Sequence, residues 1–344
     1  MSGDILSDVL RAVRLRGAVY FTFEGQERWT AEAPAAHDLI PAVMPEAEHL
    51  LEFHGLVSGS CWAFTVPDGA PVRLEAQDVI LFPQGDAHVV ASEPGLRPRS
   101  TAGLADAWFG GGSSQPLPKW ITVRGEVVAE RSLPVVAAEG QASVVCGFLG
   151  FDARPFNPLL AALPRVLKVS GATLGPDSWV TTFLRTAAAE SALRRPGSQA
   201  VLERMSEMLF VEVLRRHLEA LPPDETGWLA GIHDPVVGPA LAMLHAEPAA
   251  GWTIDGLADA VHASRSGLAE RFTLLVGHPP MQYLARWRMQ LASGMLRDSG
   301  ATVSEIAVSV GYDSEAAFSR AFKRIVGVAP SAWRAGVRPS QPVG

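Results

Sequence analysis

Two stretches near the C-terminal end of the sequence repeat one arrangement of apolar and polar positions. Each predicts a short helix with a buried apolar pair, a turn, and a second helix whose apolar residues recur at i and i+4. These positions are Leu257-Ala258 with Leu268/Phe272, and Ile306-Ala307 with Phe318/Phe322. Because the copies lie about 50 residues apart, the sequence predicts two consecutive helix-turn-helix modules, with first helices at 255–261 and 303–310.

A serine stands where each second helix is expected to begin. Ser264 and Ser314 can accept a hydrogen bond from an otherwise unpaired backbone N–H, which makes them candidate N-caps. With the apolar positions turned inward, the opposite face of each second helix stays open. The residues on these open faces are Arg265, Ser266, Ala269 and Glu270 in the first copy, and Glu315, Ala316, Ser319 and Arg320 in the second.

The open faces carry side chains that can bind double-stranded DNA. A second helix of this kind enters the major groove, where Arg320 can make a bidentate contact with guanine. Phosphate contacts are expected from the other cations nearby, which are Lys323, Arg324, Arg286, Arg288 and Arg334. Two modules in one chain can therefore read two successive segments of the groove.

The segment 233–338 resembles the tandem helix-turn-helix domain of AraC/XylS-type transcriptional regulators. The resemblance rests on Gly311-Tyr312-Asp313-Ser314, on the stretch 318–323, and on Gly327 and Pro330. It implies a sequence-specific DNA-binding regulator that works with RNA polymerase, and it leaves activation or repression open. One position departs from the family, because Glu270 stands where members often carry Arg or another donor. Base reading is therefore assigned mainly to the second module.

The first 150 residues consist of short apolar or alternating runs separated by Gly, Pro, Asp and Ser. Such runs are typical of a small antiparallel barrel or sandwich. The predicted strands lie at 18–23, 49–57, 61–66, 78–82 and 143–148. The expected fold class is α+β, with an N-terminal antiparallel β-barrel over 1–155, a helical connector over 156–232 and an all-α domain over 233–338.

Two motifs in the predicted barrel resemble the cupin pattern. Glu52 is followed by Gly59, and a predicted strand ends at Pro83-x-Gly85 with His88 three residues further on. Regulators of the AraC type commonly place a cupin-like sensor before the DNA-binding domain. Cupin enzymes also carry a His-x-His pair before the Glu, and here positions 48 and 50 are Glu and Leu. A complete catalytic metal site is therefore not expected.

Four side chains of the predicted barrel are candidate effector or sensor residues. They are His54, Cys61, His88 and Cys146. The spacing of His54 to Cys61-Trp62 and the later Cys146-Gly147 are similar to cupin-type regulators. Three interpretations stay open: a soft-metal or thiol redox sensor, contact with an organic effector, or a structural role for buried thiols and hydrogen-bonded histidines. A transition metal in the barrel is the one candidate cofactor.

The connector is predicted to be helical at 177–194 and 198–221. In the second helix, apolar residues form a wide stripe, which includes Val201, Met205, Met208, Leu209 and Val213. Helix pairs after the sensor barrel mediate dimer contact in the regulators that this chain resembles, so a homodimer is expected. Two loops, 110–118 and 222–227, are interpreted as a mobile loop and a linker.

Charge is divided unevenly along the 344 residues, whose formal net charge is -7. Residues 251–338 carry a net charge of +3, which leaves -10 for the remainder. A mildly basic DNA-binding segment joined to an acidic remainder favours binding at specific DNA sites over general coating of nucleic acid. Only two cysteines and no apolar run long enough for a bilayer span indicate a cytoplasmic protein without a membrane partner. The first 16 residues predict an amphipathic helix rather than a signal peptide.

Two other functions remain as alternatives at this stage. The sequence contains no Gly-x-Ser-x-Gly elbow, no phosphate-binding Gly-rich loop and no His-Glu-x-x-His helix, so no enzyme activity is expected. A metal-dependent cupin enzyme fused to a DNA-binding module is one alternative. The other is a constitutive DNA-binding protein whose barrel serves only assembly.

Overall fold

The computed structural model describes residues 4–99, 119–131, 141–171, 178–193, 195–222 and 225–337. The chain divides into two compact units. We call Leu15–Phe151 with Leu163–Ala220 the barrel unit, and Met1–Arg14 with Asp152–Ala162 and Leu221–Gly344 the helical unit. This division differs from the three predicted segments, because most of the predicted connector packs against the strands.

Ten strands among the described residues make up the sheet of the barrel unit. They are β1 (Arg16–Ala33), β2 (His49–Ser58), β3 (Ser60–Thr65), β4 (Val72–Glu75), β5 (Val79–Phe82), β6 (His88–Ala91), β7 (Lys119–Gly125), β8 (Val127–Arg131), β9 (Ala142–Phe151) and β10 (Leu167–Val169). Their order is β10-β5-β2-β9-β1-β6-β3-β4, with β7 on β1 and β8 on β7. Every described pair is antiparallel except β1 with β7.

The described residues of both units also form helices. They are α1 (Ile5–Ala12), α2 (Ala36–Val43), α3 (Pro158–Ala162), α4 (Trp179–Leu193), α5 (Ser198–Glu219), α6 (Trp228–His233), α7 (Val237–Ala246), α8 (Ile254–Ala260), α9 (Arg265–Val276), α10 (Pro280–Asp298), α11 (Val303–Ser309), α12 (Glu315–Val326) and α13 (Pro330–Arg334). The predicted α+β class is confirmed, and the five predicted runs coincide with parts of β1, β2, β3, β5 and β9, two of them extending one residue beyond the strand. The expected barrel is a curled half-barrel.

The long strand β1 joins the two halves of the sheet. It pairs with β9 over its first part and with β6 over its last four residues. Buried apolar side chains from both halves form one core, which includes Phe21, Phe23, Trp29, Phe82 and Phe148. Burying aromatic side chains of this size is the main source of stability for a sheet of short strands.

Helices α4 and α5 cover one side of this sheet. Leu209, Phe210 and Val213 of α5 are fully buried, and the ring of Phe210 lies 5.3 Å from that of Phe151. The backbones of α5 and β1 come so close that a Cβ at Gly17 would lie 2.7 Å from the Glu203 carbonyl oxygen. Part of the apolar stripe predicted for dimerisation is therefore core of the barrel unit.

The helical unit is completed by two segments that are distant in sequence from its main part. Helix α1 packs against α7 and α10. The Gln290 side-chain amide donates to the Ala12 carbonyl oxygen at 2.9 Å and accepts from the Phe156 N–H at 3.1 Å. The guanidinium of Arg297 lies 2.7 Å from the buried carboxylate of Asp152. Since these groups are buried or half-buried, their pairing holds residues 4–14 and 152–162 on α10.

The two predicted helix-turn-helix modules are α8–α9 and α11–α12, with boundaries within one residue of the predicted first helices. Helix α10 joins the modules, and α13 follows the second. Helices α6 and α7 precede the first module. Among the described residues, no helix combines the length and apolarity that a bilayer span requires. The loop 110–118 and positions 223–224 of the predicted linker lie outside the described residues.

Candidate functional sites

Helices α9 and α12 have the same local construction. The side-chain oxygen of Ser264 accepts from the Gly267 N–H at 3.1 Å, and that of Ser314 accepts from the Ala317 N–H at 3.3 Å. Both helices end at a glycine with positive φ, Gly277 at 78° and Gly327 at 91°, where a side chain would be strained. The predicted N-caps are thus present in both modules.

The apolar faces of α9 and α12 are packed and their opposite faces are open. Leu268, Phe272, Phe318 and Phe322 are fully buried. Of the nine predicted DNA-binding residues, Ala269 and Ser319 are half-buried and the other seven are exposed: Arg265, Ser266, Glu270, Glu315, Ala316, Arg320 and Lys323. A helix that presents such a face can lie in a major groove. The role of these residues as DNA contacts stays a prediction.

The cations of the two modules differ in their partners. In α9, Arg265 lies 3.5 Å from the Asp255 carboxylate, and Arg271 is 2.6 Å from that of Asp234. In α12, Arg320 and Lys323 make no ion pair within the part of the chain that the structure describes. Their charges are therefore available to a partner, whereas those of α9 are partly compensated.

Two of the predicted phosphate contacts are structural cations. Arg288 donates to the carbonyl oxygens of Pro248, Ala250 and Gly311 at 2.6, 2.8 and 3.2 Å. Arg334 donates to the carbonyl oxygens of Leu296 and Ala301. These guanidinium groups satisfy backbone carbonyls at helix ends and turns, and the sequence-based assignment of Arg288 and Arg334 to phosphates stays a prediction.

Arg286 is also engaged inside the helical unit. Its guanidinium lies 5.9 Å from the centre of the Phe156 ring, within the range of a cation–π contact. The side chain is half-buried. Of the five cations predicted to bind phosphate, Lys323 and Arg324 of α12 are the exposed ones that lie on a candidate recognition helix.

The barrel unit holds a buried cluster of polar side chains. The His54 Nε2 and His88 Nε2 atoms are 2.6 Å apart, and the His54 Nδ1 atom is 2.8 Å from the Cys146 Sγ atom. The Glu52 carboxylate approaches the His88 Nε2 atom to 3.6 Å. All four residues are at least 96% buried. Strand alternation places Glu52 and His54 on the same face of β2, while Cys146 is the partner of His54 on β9.

The hydrogen bonds of the cluster fix the positions of its protons. The His88 Nδ1 atom faces the Asp86 carbonyl oxygen at 2.9 Å, so this nitrogen must donate. In neutral His88, the Nε2 atom is then an acceptor, and the His54 Nε2–H donates to it. The His54 Nδ1 atom consequently accepts from the Cys146 S–H. In the metal-free cluster, hydrogen bonds therefore run in one direction, from the Cys146 thiol to His54, from His54 to His88, and from His88 to the Asp86 carbonyl oxygen.

Burial keeps each member of the cluster neutral. Desolvation, together with the charge of His88, holds the pKa of His54 well below its usual value, and desolvation lowers the pKa of His88 to about 4. Burial raises the pKa of Glu52 well above the usual carboxyl value. The pKa of Cys146 is also raised, by burial and then by Glu52 and Cys61. The pair of Glu52 and His88 is therefore a neutral contact rather than a salt bridge.

The structure brings together three of the four predicted sensor residues. His54, His88 and Cys146 are in contact, whereas no hydrogen bond among the described residues connects Cys61 to them. Cys61 lies on β3 opposite Leu74 of β4, and burial raises its pKa to about 12. Glu52, rather than Cys61, is the fourth member of the buried cluster. Glu52 matches the cupin pattern in the sequence but was not among the predicted sensor residues.

A small cavity of about 20 Å³ adjoins the cluster. Glu52, His54 and His88 form the polar part of its wall, together with Glu32. The rest of the wall is formed by Phe21, Phe23, Ala31, Ala33, Pro34 and Val90. Two hydrogen-bonding nitrogens of Arg97 lie 3.1–3.3 Å from the Glu32 carboxylate, so Glu32 has a cationic partner. A mostly apolar cavity with a few converging polar groups is typical of a small-molecule site.

Comparison with known proteins gives matches over both parts of the chain. A cupin family model matches residues 4–219 and a helix-turn-helix domain model matches residues 257–336. A putative AraC-like transcription regulator of Streptomyces lividans is 34% identical over 335 residues, which cover 96% of this chain and 98% of that protein. The HTH-type transcriptional regulator AlkR of Acinetobacter baylyi is 30% identical over 335 residues, with 96% and 99% covered.

Solved structures are also similar to this chain. The DNA-binding domain of AdpA, in complex with a target DNA, is 30% identical, covers 30% of this chain and 92% of its own, and has a TM-score of 0.29. The family assignment rests on the matches over nearly the full length of the chain. They agree with the order of a cupin-like unit followed by two helix-turn-helix modules. The chain belongs to the AraC-like transcription regulators, which bind DNA through the C-terminal modules.

Proposed function

We propose that this regulator receives its signal in the cavity of the barrel unit and that the bound signal changes how α9 and α12 engage DNA. The observation that carries the proposal is the convergence of Glu52, His54 and His88 on the wall of that cavity. Buried polar groups without a structural partner such as a backbone ladder are costly. Their position at a cavity, rather than within the packed core, favours a ligand-binding role over assembly alone.

The cavity favours a small, largely apolar effector with one polar or cationic group. Six of its ten lining residues are apolar, and two of these are phenylalanines. Glu32 is neutralised by Arg97, whereas Glu52 approaches only the neutral imidazole of His88 among the ion-pairing groups of the described residues. A donor or cation on the effector would therefore find Glu52 and the His54–His88 pair, while the remainder of the molecule contacts Phe21, Phe23 and Val90.

Direct oxidation of a resting thiol is the less favoured signal. Oxidants attack the thiolate, and reactive cysteines are accessible with a lowered pKa. Here both cysteines are buried, and burial raises the pKa of each thiol. The proposal therefore gives Cys146 the task of holding the His54 ring and gives Cys61 a packing role in the core.

The proposal also includes a homodimer that forms through the outer face of α5. Val201 and Met208, seven residues apart on this helix, are 45% and 53% exposed, and Leu193 at the end of α4 is 61% exposed. Val201 and Met208 form the exposed part of the α5 stripe whose remainder packs into the barrel unit. Sedimentation analysis of Met208→Glu tests this part: we expect a shift towards monomer, and an unchanged dimer would remove it.

The regulator is proposed to act on transcription by RNA polymerase in the cytoplasm, without catalytic residues of its own. The relatives matched over their full length are named as regulators. The effector can change DNA binding only by as much as its affinity differs between the two states, typically about 1–3 kcal/mol.

The effector site is tested with a cavity-filling variant. A small-molecule library is screened by thermal shift on full-length protein, and each hit is then measured for its effect on binding to a DNA site selected from random sequence. Ala31→Leu fills the cavity, and Ala129→Leu is the control because Ala129 is exposed on β8. We expect hits that act on the wild type and the control but not on Ala31→Leu. Equal responses in all three proteins would contradict the proposal.

A further inference from the structure

Three buried side chains of the barrel unit offer ligand atoms to one point. The Nε2 atoms of His54 and His88 and a carboxylate oxygen of Glu52 all lie within 4.8 Å of one another. Glu52 and His54 come from β2, and His88 is the first residue of β6, which belongs to the other half of the sheet. The fold, rather than local sequence, therefore brings these three donors together.

We propose that Glu52, His54 and His88 form a binding site for a divalent first-row transition metal ion. Two imidazole nitrogens and one carboxylate are the donor set that zinc, iron(II) and manganese(II) accept, with coordination positions left open. The hard ions Mg²⁺ and Ca²⁺ prefer sites made of oxygen ligands. The site differs from the set expected from sequence, because Glu52 is a ligand and neither cysteine is.

The surroundings of the three donors are those of a metal site. The His88 Nδ1–H donates to the Asp86 carbonyl oxygen at 2.9 Å, which directs the Nε2 lone pair of His88 towards the cluster. Metal-bound histidines generally donate their second ring N–H in this way. The ring of His88 is also held by stacking on Phe82, with centroids 3.7 Å apart.

Cys146 gives His54 the same support without being a ligand. In the metal-free protein the His54 Nδ1 atom accepts from the Cys146 thiol, whose sulfur lies 2.8 Å away. A sulfur atom can also accept a weak hydrogen bond. When His54 changes tautomer, its Nδ1–H donates to Sγ and its Nε2 lone pair becomes available to the metal. The exchange moves a proton within the imidazole and rotates the S–H, so it needs no net charge on the thiol.

The metal site also accounts for an otherwise costly arrangement. Two imidazoles face each other at 2.6 Å beside a carboxyl group, at full burial. A zinc ion bound at the usual ~2.0–2.1 Å needs its two nitrogen ligands roughly 3.3 Å apart, so the rings must separate by somewhat less than 1 Å. Binding of a divalent ion would compensate the buried carboxylate, for which the described residues offer no other cation.

This inference rests on the proposed function, because the metal would form part of the wall against which the effector binds. Because Glu52, His54 and His88 all line the cavity described above, a metal ion that they hold would be within reach of a donor group of the effector. The metal would then set both the chemistry of the effector and its orientation among Phe21, Phe23 and Val90.

Metal titration of the full-length protein tests the site. The protein is stripped with a chelator and titrated calorimetrically with Zn²⁺, and separately with Mg²⁺. We expect one Zn²⁺ per chain and no measurable Mg²⁺ binding. Glu52→Gln, His54→Gln and His88→Gln should each weaken Zn²⁺ binding at least about 100-fold, and Cys146→Val should weaken it about 10-fold, as loss of an outer partner does.

A matched control separates this site from other histidines. His49 lies on the same strand, and its Nε2 atom is bonded to the Pro83 carbonyl oxygen at 2.7 Å, so His49→Gln should bind Zn²⁺ as the wild type does. The melting temperature without metal shows that each variant folds, and Zn²⁺ should raise it only in proteins with an intact site.

The inference is overturned if His54→Gln or His88→Gln binds Zn²⁺ as tightly as the wild type, or if the wild type binds none. Binding to a selected DNA site is measured on the same preparations by gel shift. A protein that binds no Zn²⁺ but still binds DNA in an effector-dependent way would remove the metal site and leave the proposed function intact.

Discussion

The two helix-turn-helix modules have the same fold and different charges at matching positions. Phe272, Gly277 and Pro280 of the first correspond to Phe322, Gly327 and Pro330 of the second, at a constant offset of 50 residues. At the same offset, Glu270 corresponds to Arg320, and Arg265 to Glu315. The packed faces of the two modules carry the same residue types, whereas acidic and basic residues are interchanged between their open faces.

This comparison shows which positions the fold requires. Both buried phenylalanines fill the small space between two helices, and both glycines end a helix with positive φ, so alternatives at these positions cost stability. The open faces carry no such requirement, and a partner can therefore select their charges. We infer that α12 supplies most of the base reading and that α9 contributes mainly by shape and position on the duplex.

The largest expected effect tests whether the two cores are equivalent. Phe272→Ala and Phe322→Ala each remove a fully buried ring and should each cost about 3–5 kcal/mol of unfolding free energy. Leu274→Ala is the control, because its side chain is 71% exposed and should change stability by about 0.5 kcal/mol or less. Urea unfolding followed by amide hydrogen exchange within each module measures the losses. A large loss of unfolding free energy in one module alone would show that the two cores are not equivalent.

The next effect tests the exchange of charge between the open faces. Arg320→Ala should weaken binding to the selected DNA site by about 1–3 kcal/mol and relax the preference at one base pair. Glu270→Ala at the matching position should leave the affinity unchanged or raise it, because it removes a negative charge near phosphate. Fluorescence anisotropy with single-position site variants measures both. If Glu270→Ala weakens binding more than Arg320→Ala does, the assignment of base reading is reversed.

A smaller difference is expected at the first helices of the modules. Thr302 caps α11 in a capping box, in which the Glu305 carboxylate accepts from the Thr302 N–H at 2.7 Å. Thr253 caps α8 alone, because the corresponding position is Gly256. We expect Thr253→Ala to cost about 1 kcal/mol and Thr302→Ala up to about 2 kcal/mol of unfolding free energy. Exposed Ser304→Ala serves as control, and equal losses for the two threonines would show that the box adds nothing.

The smallest effect concerns phosphate binding. Lys323 of α12 corresponds to Thr273 of α9, whose hydroxyl donates to the Ala269 carbonyl oxygen at 2.7 Å. Lys323→Ala should weaken DNA binding equally for all sequences and reduce the slope of log K against log salt by about 1. Thr273→Ala should leave the slope unchanged. Affinity measured between low and moderate salt checks this, and a sequence-dependent effect of Lys323→Ala would place this residue at a base instead.

The sequence predicted the parts of the fold that depend on local patterns. Apolar spacing and the caps Ser264 and Ser314 were sufficient for both modules, because packing and capping act within one or two helical turns. Alternation and turn residues located β2, β3 and β9 in the same way. The hydrogen bonds of Arg288 and Arg334 were not predictable, because they depend on carbonyl groups 23–40 residues away that only the folded chain brings near.

The candidate site in the barrel unit was predicted in part for a similar reason. His54 and His88 stood out by residue type, and the period of two along β2 could have added Glu52 to the same face as His54. The sequence could not show that Cys61 lies apart from them, since that depends on which strands are neighbours. Residues 152–162 also join the helical unit through Asp152 and Phe156, which bind to side chains more than 130 positions later.

Hydroxyl-radical footprinting of the full-length protein on its selected DNA site tests the central claim most directly. The structure of the two modules predicts two protected segments, about one helical turn or 10 base pairs apart, with Arg320→Ala weakening the segment that α12 contacts and leaving the other in place. A single protected segment, or a footprint that Arg320→Ala leaves unchanged, would contradict it.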